Sequence, residues 1–171
     1  MAPSKKEFIG VQIGEVRTAS KKGLLRTSAI GSCIGITFYD PDTKTGGLAH
    51  IMLPGKAPED ASSGRTKYAE NAIEQVLAEF SSMGISARHL KVVLAGAGNV
   101  LAKRNDTICK ELLASVLETL KARKLRIEGQ DTGGTDARAL SLDLDTGRVC
   151  CEKNAGKMTL LSPGVTTGHE K

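Results

Sequence analysis

Two amphipathic helical segments, separated by one short apolar strand, constrain the fold of this chain more than any other feature. In the first, apolar residues recur at helical spacing from Lys67 to Met83, and Gly84 is placed to end the helix. The second runs from Asn105 to Ala122 with a comparable stripe. The sequence LKVVLAG, which begins at Leu90, is typical of a buried strand. The apolar positions are Ala69, Ala72, Ile73, Val76, Leu77, Phe80 and Met83 in the first segment and Ile108, Cys109, Leu112, Leu113, Val116 and Leu120 in the second.

The segments on either side of these helices predict the rest of the architecture. IGSCIGITFYD and LAHIML, joined by a segment rich in turn formers, indicate one hairpin, and a second closes on Asp145-Thr146-Gly147. We predict a single-domain α/β layered sandwich, in which a mixed β-sheet is covered by about two main helices. No shift in composition divides the 171 residues, so we expect one domain over 1–156. Residues 157–171 are expected to form a flexible C-terminal tail, and residues 54–66 a flexible connection.

Charge and composition argue against several classes of function. The net charge of +5 is moderate and only 3% of residues are aromatic, so we expect no nucleic-acid partner. Charged residues interrupt the N-terminal segment and no apolar run reaches the length of a membrane span, which predicts a cytoplasmic protein without membrane insertion. The four cysteines lack a C-x-x-C spacing, so we expect neither a metal site nor a disulfide framework. Gly96-Ala97-Gly98 lacks the third glycine of a dinucleotide motif, and we expect no cofactor.

One cysteine and one histidine have the residue types of a nucleophile and its base. Cys33 lies in the small-residue sequence Gly31-Ser32-Cys33, and His50 follows in GGLAHIMLP. An imidazole within hydrogen-bond reach can remove the thiol proton, and small neighbours allow close approach of a substrate. Gly31 and Ser32 are therefore candidate substrate-binding residues, with nearby N–H groups available to an oxyanion. Cysteine is also among the most buried residue types, so inert core packing of Cys33 is the alternative.

The alternation of side chains bears on this choice. Ile34, Ile36 and Phe38 share one face of the expected strand, which places Cys33 on the other face. A tight turn at Pro41-Asp42 would pair Cys33 directly with His50 across the hairpin. A longer loop would shift that pairing unless a bulge restored it.

A series of short motifs runs along the chain from about Phe8 to Lys153. They are Ile13-Gly14-Glu15, Thr27, Gly31 to Gly35, Tyr39-Asp40, Ala49 to Pro54, Lys67-Tyr68-Ala69, Arg104-Asn105, Asp131 to Gly134, Arg138 and Asp145-Thr146-Gly147. In these residues the sequence resembles the CheD family of chemotaxis proteins, which are receptor glutamine deamidases. The resemblance implies a compact α/β fold and a catalytic triad of Cys33, His50 and Thr27.

The same resemblance implies an activity and partners. We expect a hydrolase that converts glutamine side chains of methyl-accepting chemotaxis receptors to glutamate through a thioester on Cys33. Hydrolysis of glutamate methyl esters is a natural side activity of the same chemistry. The alternative is a binding module that regulates a CheC-type response-regulator phosphatase, and a small cysteine peptidase is a third interpretation.

Overall fold

The computed structural model describes residues 5–154 and 156–164. Within them the chain forms ten β-strands and two α-helices, with 3-10 turns at Arg65–Lys67 and Ala87–His89. The strands are β1 (Phe8–Gly10), β2 (Val16–Ser20), β3 (Leu24–Ile30), β4 (Ile34–Asp40), β5 (Thr45–Ile51), β6 (Lys91–Gly96), β7 (Arg126–Thr132), β8 (Arg138–Asp143), β9 (Arg148–Lys153) and β10 (Lys157–Pro163), and the helices are α1 (Ala69–Ser82) and α2 (Ile108–Ala122).

The strands form two mixed five-stranded sheets. The central sheet has the order β2-β5-β4-β6-β7, in which β6 and β7 are parallel. The outer sheet has the order β1-β3-β8-β9-β10, in which β1 and β3 are parallel. The chain passes from the outer sheet to the central sheet between β3 and β4, through residues 31–33.

The elements stack in three layers. Both helices pack on one face of the central sheet, where Phe38 and Leu94 meet apolar side chains such as Phe80. The other face packs on the outer sheet through a second cluster that includes Leu48 and Leu140. The predicted α/β sandwich with two main helices is confirmed. The division of the strands between two sheets was not predicted, because local alternation does not specify which strands pair.

Both helices form where the apolar stripes predicted them. Helix α1 starts two residues later than expected, and its end is followed by Gly84 in the left-handed conformation, with φ of 76°. Helix α2 begins at Ile108 instead of Asn105, because the Asp106 carboxylate accepts a hydrogen bond from the Cys109 N–H. Among the described residues, neither helix is long and apolar enough to cross a membrane.

The first hairpin forms, but with a register different from the tight-turn prediction. Gly35 pairs with His50, and Ile34 pairs with Ile51. The connection is a four-residue loop after Asp40, whose carboxylate accepts hydrogen bonds from the N–H and hydroxyl of Thr43. The longer loop moves the pairing by two positions, so the direct pairing of Cys33 with His50 was wrong.

The C-terminal part also differs from expectation. The hairpin of β8 and β9 is confirmed. Strand β10, however, occupies residues 157–163 of the expected tail and pairs antiparallel with β9. Most of β10 is exposed, but Leu161 packs against the cluster between the sheets and Ser162 is only 2% exposed, so backbone pairing with β9 and burial near its end hold the strand. The fold therefore continues past residue 156, and the rest of the expected tail, from 165, lies outside the described residues.

Candidate active site

The candidate site lies where the chain passes between the two sheets. Thr27 is on β3 of the outer sheet, His50 is on β5 of the central sheet, and Cys33 immediately precedes β4. Cys33 packs against the cluster between the sheets. His50 lies on the same face of β5 as Leu48, which belongs to that cluster. The fold therefore brings all three residues to one end of the interface between the sheets.

The Thr27 hydroxyl determines which tautomer of His50 is present. Its Oγ1 lies 2.7 Å from the carbonyl oxygen of Val11 and 2.7 Å from Nδ1 of His50. A carbonyl can only accept, so the single hydroxyl hydrogen is donated to Val11. Thr27 then accepts a hydrogen bond from Nδ1–H, and a neutral His50 carries its lone pair on Nε2.

Burial keeps His50 in this neutral form. The side chain is 0% exposed, and desolvation lowers the pKa of His50 to about 4. Among the described residues, Nε2 has no hydrogen-bond partner. An unpaired buried acceptor is unfavourable in a histidine that serves only the core, so this atom is a candidate base.

The backbone of Cys33 is held by the loop that follows β6. The N–H of Ala97 donates to the Cys33 carbonyl at 2.8 Å, and the N–H of Gly98 donates to the Gly31 carbonyl at 3.0 Å. The Cys33 side chain is half-buried, and desolvation raises the pKa of its thiol. The thiol is thus protonated at neutral pH, and activation requires a base in contact with it.

In the structure no hydrogen bond joins Cys33 to His50, whose Nε2 is unpaired among the described residues, but Gly35 places the two side chains on one face of the hairpin. It pairs with His50, and Cys33 lies two residues earlier on the same face. Such diagonal positions are separated by roughly 7–8 Å, within reach of an aromatic ring. A Cβ on Gly35 would lie 2.9 Å from Cδ1 of Ile30 and 3.3 Å from Cγ2 of Thr27. The absent side chain therefore allows β3 to bring Thr27 against His50.

A turn before β2 holds the His50 backbone. The N–H of Gly14 donates to the His50 carbonyl at 2.8 Å, and the N–H of His50 donates to the Glu15 carbonyl at 3.1 Å. The turn is closed by the N–H of Gln12, which donates to the Glu15 carboxylate at 3.0 Å. It follows directly on Val11, so one short segment positions both the His50 backbone and the acceptor of the Thr27 hydroxyl.

Two neighbouring cavities border the nucleophile segment. One, of 230 Å³, is lined by Ser32, Val100 and Leu101 among others, and the Leu101 side chain is 73% exposed. The other, of 260 Å³, adjoins it at Lys103 and also contains Arg104. Ser32, predicted to bind substrate, is therefore exposed at an apolar rim with basic residues beside it. Gly31, the other such residue, is half-buried beneath Val100, which a Cβ on Gly31 would approach to 3.1 Å.

Among the other cysteines, Cys109 lies next to the site: it lines the 260 Å³ cavity, and its thiol donates a hydrogen bond to the Gly98 carbonyl at 3.5 Å. Cys109 is 5% exposed, as its stripe predicted, and burial raises the pKa of its thiol to about 11. Cys151 is buried and Cys150 half-buried. His89 is exposed as expected, and His169 lies outside the described residues. Across residues 5–154 and 156–164, no cluster of three or more histidine, cysteine or carboxylate side chains is arranged to hold a metal ion.

Sequence reasoning missed two residues that support the site. Arg138 is almost fully buried, and its guanidinium donates to the Asp131 carboxylate at 3.0 Å. The resemblance included both residues, and it gave Asp131 a place in a structural turn motif but gave Arg138 no role. An arginine at the start of a short strand gives no local signal of burial, since arginine is mostly exposed in proteins.

The fold and site together define a three-layer α/β protein with a candidate thiol–imidazole centre between its sheets. Residues 52–153 match the family described as CheD chemotactic sensory transduction. The matched segment begins two residues after His50, so it does not include Thr27, Cys33 or His50.

Individual relatives cover more of the chain. A probable chemoreceptor glutamine deamidase CheD of Chlorobium luteolum is 38% identical over 136 residues, which is 80% of this chain and 68% of that protein. The corresponding probable deamidase of Thermococcus kodakarensis is 32% identical over 148 residues, or 85% and 92% of the two chains. The chemoreceptor glutamine deamidase CheD of Thermotoga maritima is 30% identical over 151 residues, or 88% and 94%. This chain belongs to the CheD family.

Proposed function

We propose that this protein deamidates glutamine side chains of chemoreceptors, with Cys33 as nucleophile, His50 as general base and Thr27 as the residue that orients His50. Family membership and the names of the relatives support the substrate class. The observation that carries the mechanism is the buried hydrogen bond between Thr27 and Nδ1 of His50, which leaves the Nε2 lone pair available. The proposed location is the cytoplasm, where a receptor signalling segment is accessible.

The first step is attack of the thiol on the carboxamide carbon. Both Cys33 and His50 are neutral before reaction, because burial raises one pKa and lowers the other. The proton therefore passes from Sγ to Nε2 as the S–C bond forms, which is general-base catalysis rather than attack by a preformed thiolate. Thr27 keeps Nδ1–H engaged while the imidazolium exists.

The attack moves an electron pair onto the carboxamide oxygen. Within the described residues, the backbone N–H groups of Ser32 and Cys33 donate to no protein acceptor. Two such donors beside the nucleophile are suited to stabilise the oxyanion of the tetrahedral intermediate. The held carbonyls of Gly31 and Cys33 fix the direction of this backbone before substrate arrives.

Collapse of the tetrahedral intermediate releases ammonia, and hydrolysis of the resulting thioester then completes the deamidation. Nε2–H protonates the departing nitrogen, the C–N bond breaks, ammonia leaves and a thioester remains on Cys33. Nε2 then takes a proton from water as its oxygen attacks the thioester, and cleavage of the S–C bond returns the thiol and a glutamate side chain. A glutamate methyl ester would follow the same course with methanol as the leaving group, which supports methylesterase side activity.

The test is incubation of the purified protein with a receptor cytoplasmic fragment, followed by mass spectrometry of receptor peptides. We expect the mass gain of amide-to-acid conversion at particular glutamines, and its loss in Cys33→Ala, which leaves no nucleophilic atom at this position. Retention of substantial activity in Cys33→Ala would reject Cys33 as the nucleophile.

The same experiment separates the alternatives. Cleavage of the receptor chain would indicate a peptidase. No covalent change, together with tight binding of a CheC-type phosphatase, would favour the regulatory module.

A further inference from the structure

Arg138 is a buried cation at the junction of the two sheets. It opens β8, and the whole residue is 4% exposed. Its Nη2 donates to the Gly133 carbonyl at 2.7 Å as well as to Asp131, and its Nη1 donates to the Asp136 carbonyl at 3.2 Å. Nη1 also lies 3.5 Å from the Gly96 carbonyl. The guanidinium thus contacts both the segment 131–136 and the last residue of β6.

These groups connect directly to the nucleophile segment. The Gly96 carbonyl, which faces Arg138, also accepts the N–H of Gly133 at 2.9 Å. The next two residues after Gly96 are those that hold the carbonyls of Cys33 and Gly31. One hydrogen-bonded turn therefore separates the guanidinium from the backbone of Cys33.

The backbone of Arg138 holds the other end of the same segment. It pairs with Ile30, the last residue of β3, beyond an irregularity between Thr27 and Ile30. Ala29, within that irregularity, has a φ of 55°, which is uncommon for a residue other than glycine. The backbone of Arg138 thus holds Ile30, which immediately precedes residues 31–33, and its side chain holds the end of β6, next to the residues that bond the Gly31 and Cys33 carbonyls.

The charge of the guanidinium is compensated locally. Asp131 accepts from Arg138 and also pairs with Lys153 at 3.0 Å. Burial raises the pKa of Asp131, but hydrogen bonds from Lys153 and Arg138 outweigh it and the net pKa is lowered. A lysine at 138 would keep the charge yet lack the planar fork that reaches separate acceptors.

We propose that Arg138 is a positioning residue for the reaction: it holds the 31–33 segment so that the thiol of Cys33 and the adjacent N–H groups point at the substrate carboxamide. This role rests on the proposed function of Cys33. Small displacements of a reacting group can cost on the order of 100-fold in rate. We therefore expect Arg138→Lys to lower kcat by roughly 10- to 100-fold while KM changes little.

The experiment compares Arg138→Lys with Arg26→Lys well below their unfolding temperatures. Arg26 is also ion-paired, with Glu152 at 3.1 Å, but lies on the outer face of the outer sheet. Besides kcat and KM, iodoacetamide labelling of the Cys33 peptide is followed against pH. A loosened segment exposes the thiol, so the labelling midpoint should fall in Arg138→Lys and stay unchanged in Arg26→Lys.

The outcomes separate this proposal from the proposed function. If kcat is within twofold of the parent, or the labelling midpoint is unchanged, Arg138 is not a positioning residue. If the parent protein deamidates no receptor, the proposed function fails, and the labelling profile alone still decides whether Arg138 holds the segment. Should Arg138→Lys fail to fold, Asp131→Asn weakens the same contact while keeping its shape. In Asp131→Asn we then expect smaller decreases in kcat and in the pH midpoint of Cys33 labelling. If both values equalled those of the parent protein, the proposal would be overturned.

Discussion

His50 is a buried residue of the central sheet, and its side chain still has an unpaired nitrogen lone pair. Its backbone is part of β5 and its Nδ1 is bonded to Thr27, yet Nε2 is unpaired among the described residues. Burial that removes water from the ring also lowers the pKa of His50, so the ring is neutral and its Nε2 lone pair is unprotonated at physiological pH. Complete burial also means that His50→Ala would open a cavity, which makes His50→Gln the better test of chemistry.

The lowered pKa predicts how activity depends on pH. With a pKa of about 4, His50 stays unprotonated in the free protein well below pH 6.5. We expect kcat/KM to hold from neutral pH downward and to fall only as the pH approaches 4. A decline centred near 6.5 would show that His50 titrates like an exposed imidazole.

The same group should make stability depend on pH. Between about pH 4 and 6.5 the unfolded chain binds a proton at His50 that the folded protein does not, so the free energy of unfolding rises with pH in that window. The contribution is about 3 kcal/mol, complete above the unfolded pKa and lost as pH falls toward 4. Urea unfolding of His50→Gln should show a flatter pH dependence; an equal slope would contradict the assignment.

At the scale of elements, the nucleophile depends on how β6 ends. Gly96 has a φ of 130°, and a Cβ there would overlap the carbonyl oxygen of Cys33. The end of β6 can therefore approach the nucleophile segment this closely only because residue 96 is a glycine. The helices contribute indirectly, by covering the opposite face of the central sheet.

This close approach predicts the effect of Gly96→Ala. We expect a loss of roughly 1–3 kcal/mol in the free energy of unfolding from backbone strain alone. Deamidation should fall as well, because the added methyl displaces Cys33. Gly156→Ala is the control, since no described atom lies within 4 Å of its added Cβ. Parental stability and activity in Gly96→Ala would show that the end of β6 adapts without cost.

At the scale of the whole molecule, the net charge is +5, and the basic residues are scattered along the chain with acidic residues between them. Some of the basic side chains lie beside the candidate site. Lys103 borders both cavities near Ser32. Lys121 lies in the last turn of α2, at the end of the helix away from those cavities. An acidic receptor surface would be attracted to the site by such charges, since steering acts on encounter rather than on chemistry.

This arrangement predicts a salt dependence in binding. We expect kcat/KM for receptor to fall as ionic strength rises, with kcat unchanged, because exposed charges are screened beyond about 10 Å at 0.1 M salt. Lys103→Gln should reduce kcat/KM at low salt more than Lys121→Gln does. Equal effects of the two variants would indicate that only the overall charge matters.

Several features followed from the sequence alone, because they depend on neighbours along the chain. The two apolar stripes defined the helices, and alternation placed Cys33 opposite Ile34, as the two clusters show. The pairing of a nucleophilic cysteine with His50, and Thr27 as their partner, came from residue types and family resemblance. The structure supports the contact of Thr27 with His50, while the catalytic roles remain predictions.

Only the tertiary structure decided the register of the hairpin, the second sheet, the strand after residue 156 and the burial of Arg138. The second sheet depends on contacts between residues far apart in sequence, such as the pairing of β3 with β8. A loop longer by two residues moved Gly35, instead of Cys33, opposite His50. Arg138 gave no local sign of burial because its acceptors, the Asp131 carboxylate on β7, the Gly133 carbonyl in the following turn and the Gly96 carbonyl on β6, come together only when β6 and β7 pair. Local patterns determine which segments become helices and strands, whereas the partners of each strand depend on packing free energy summed over the whole core.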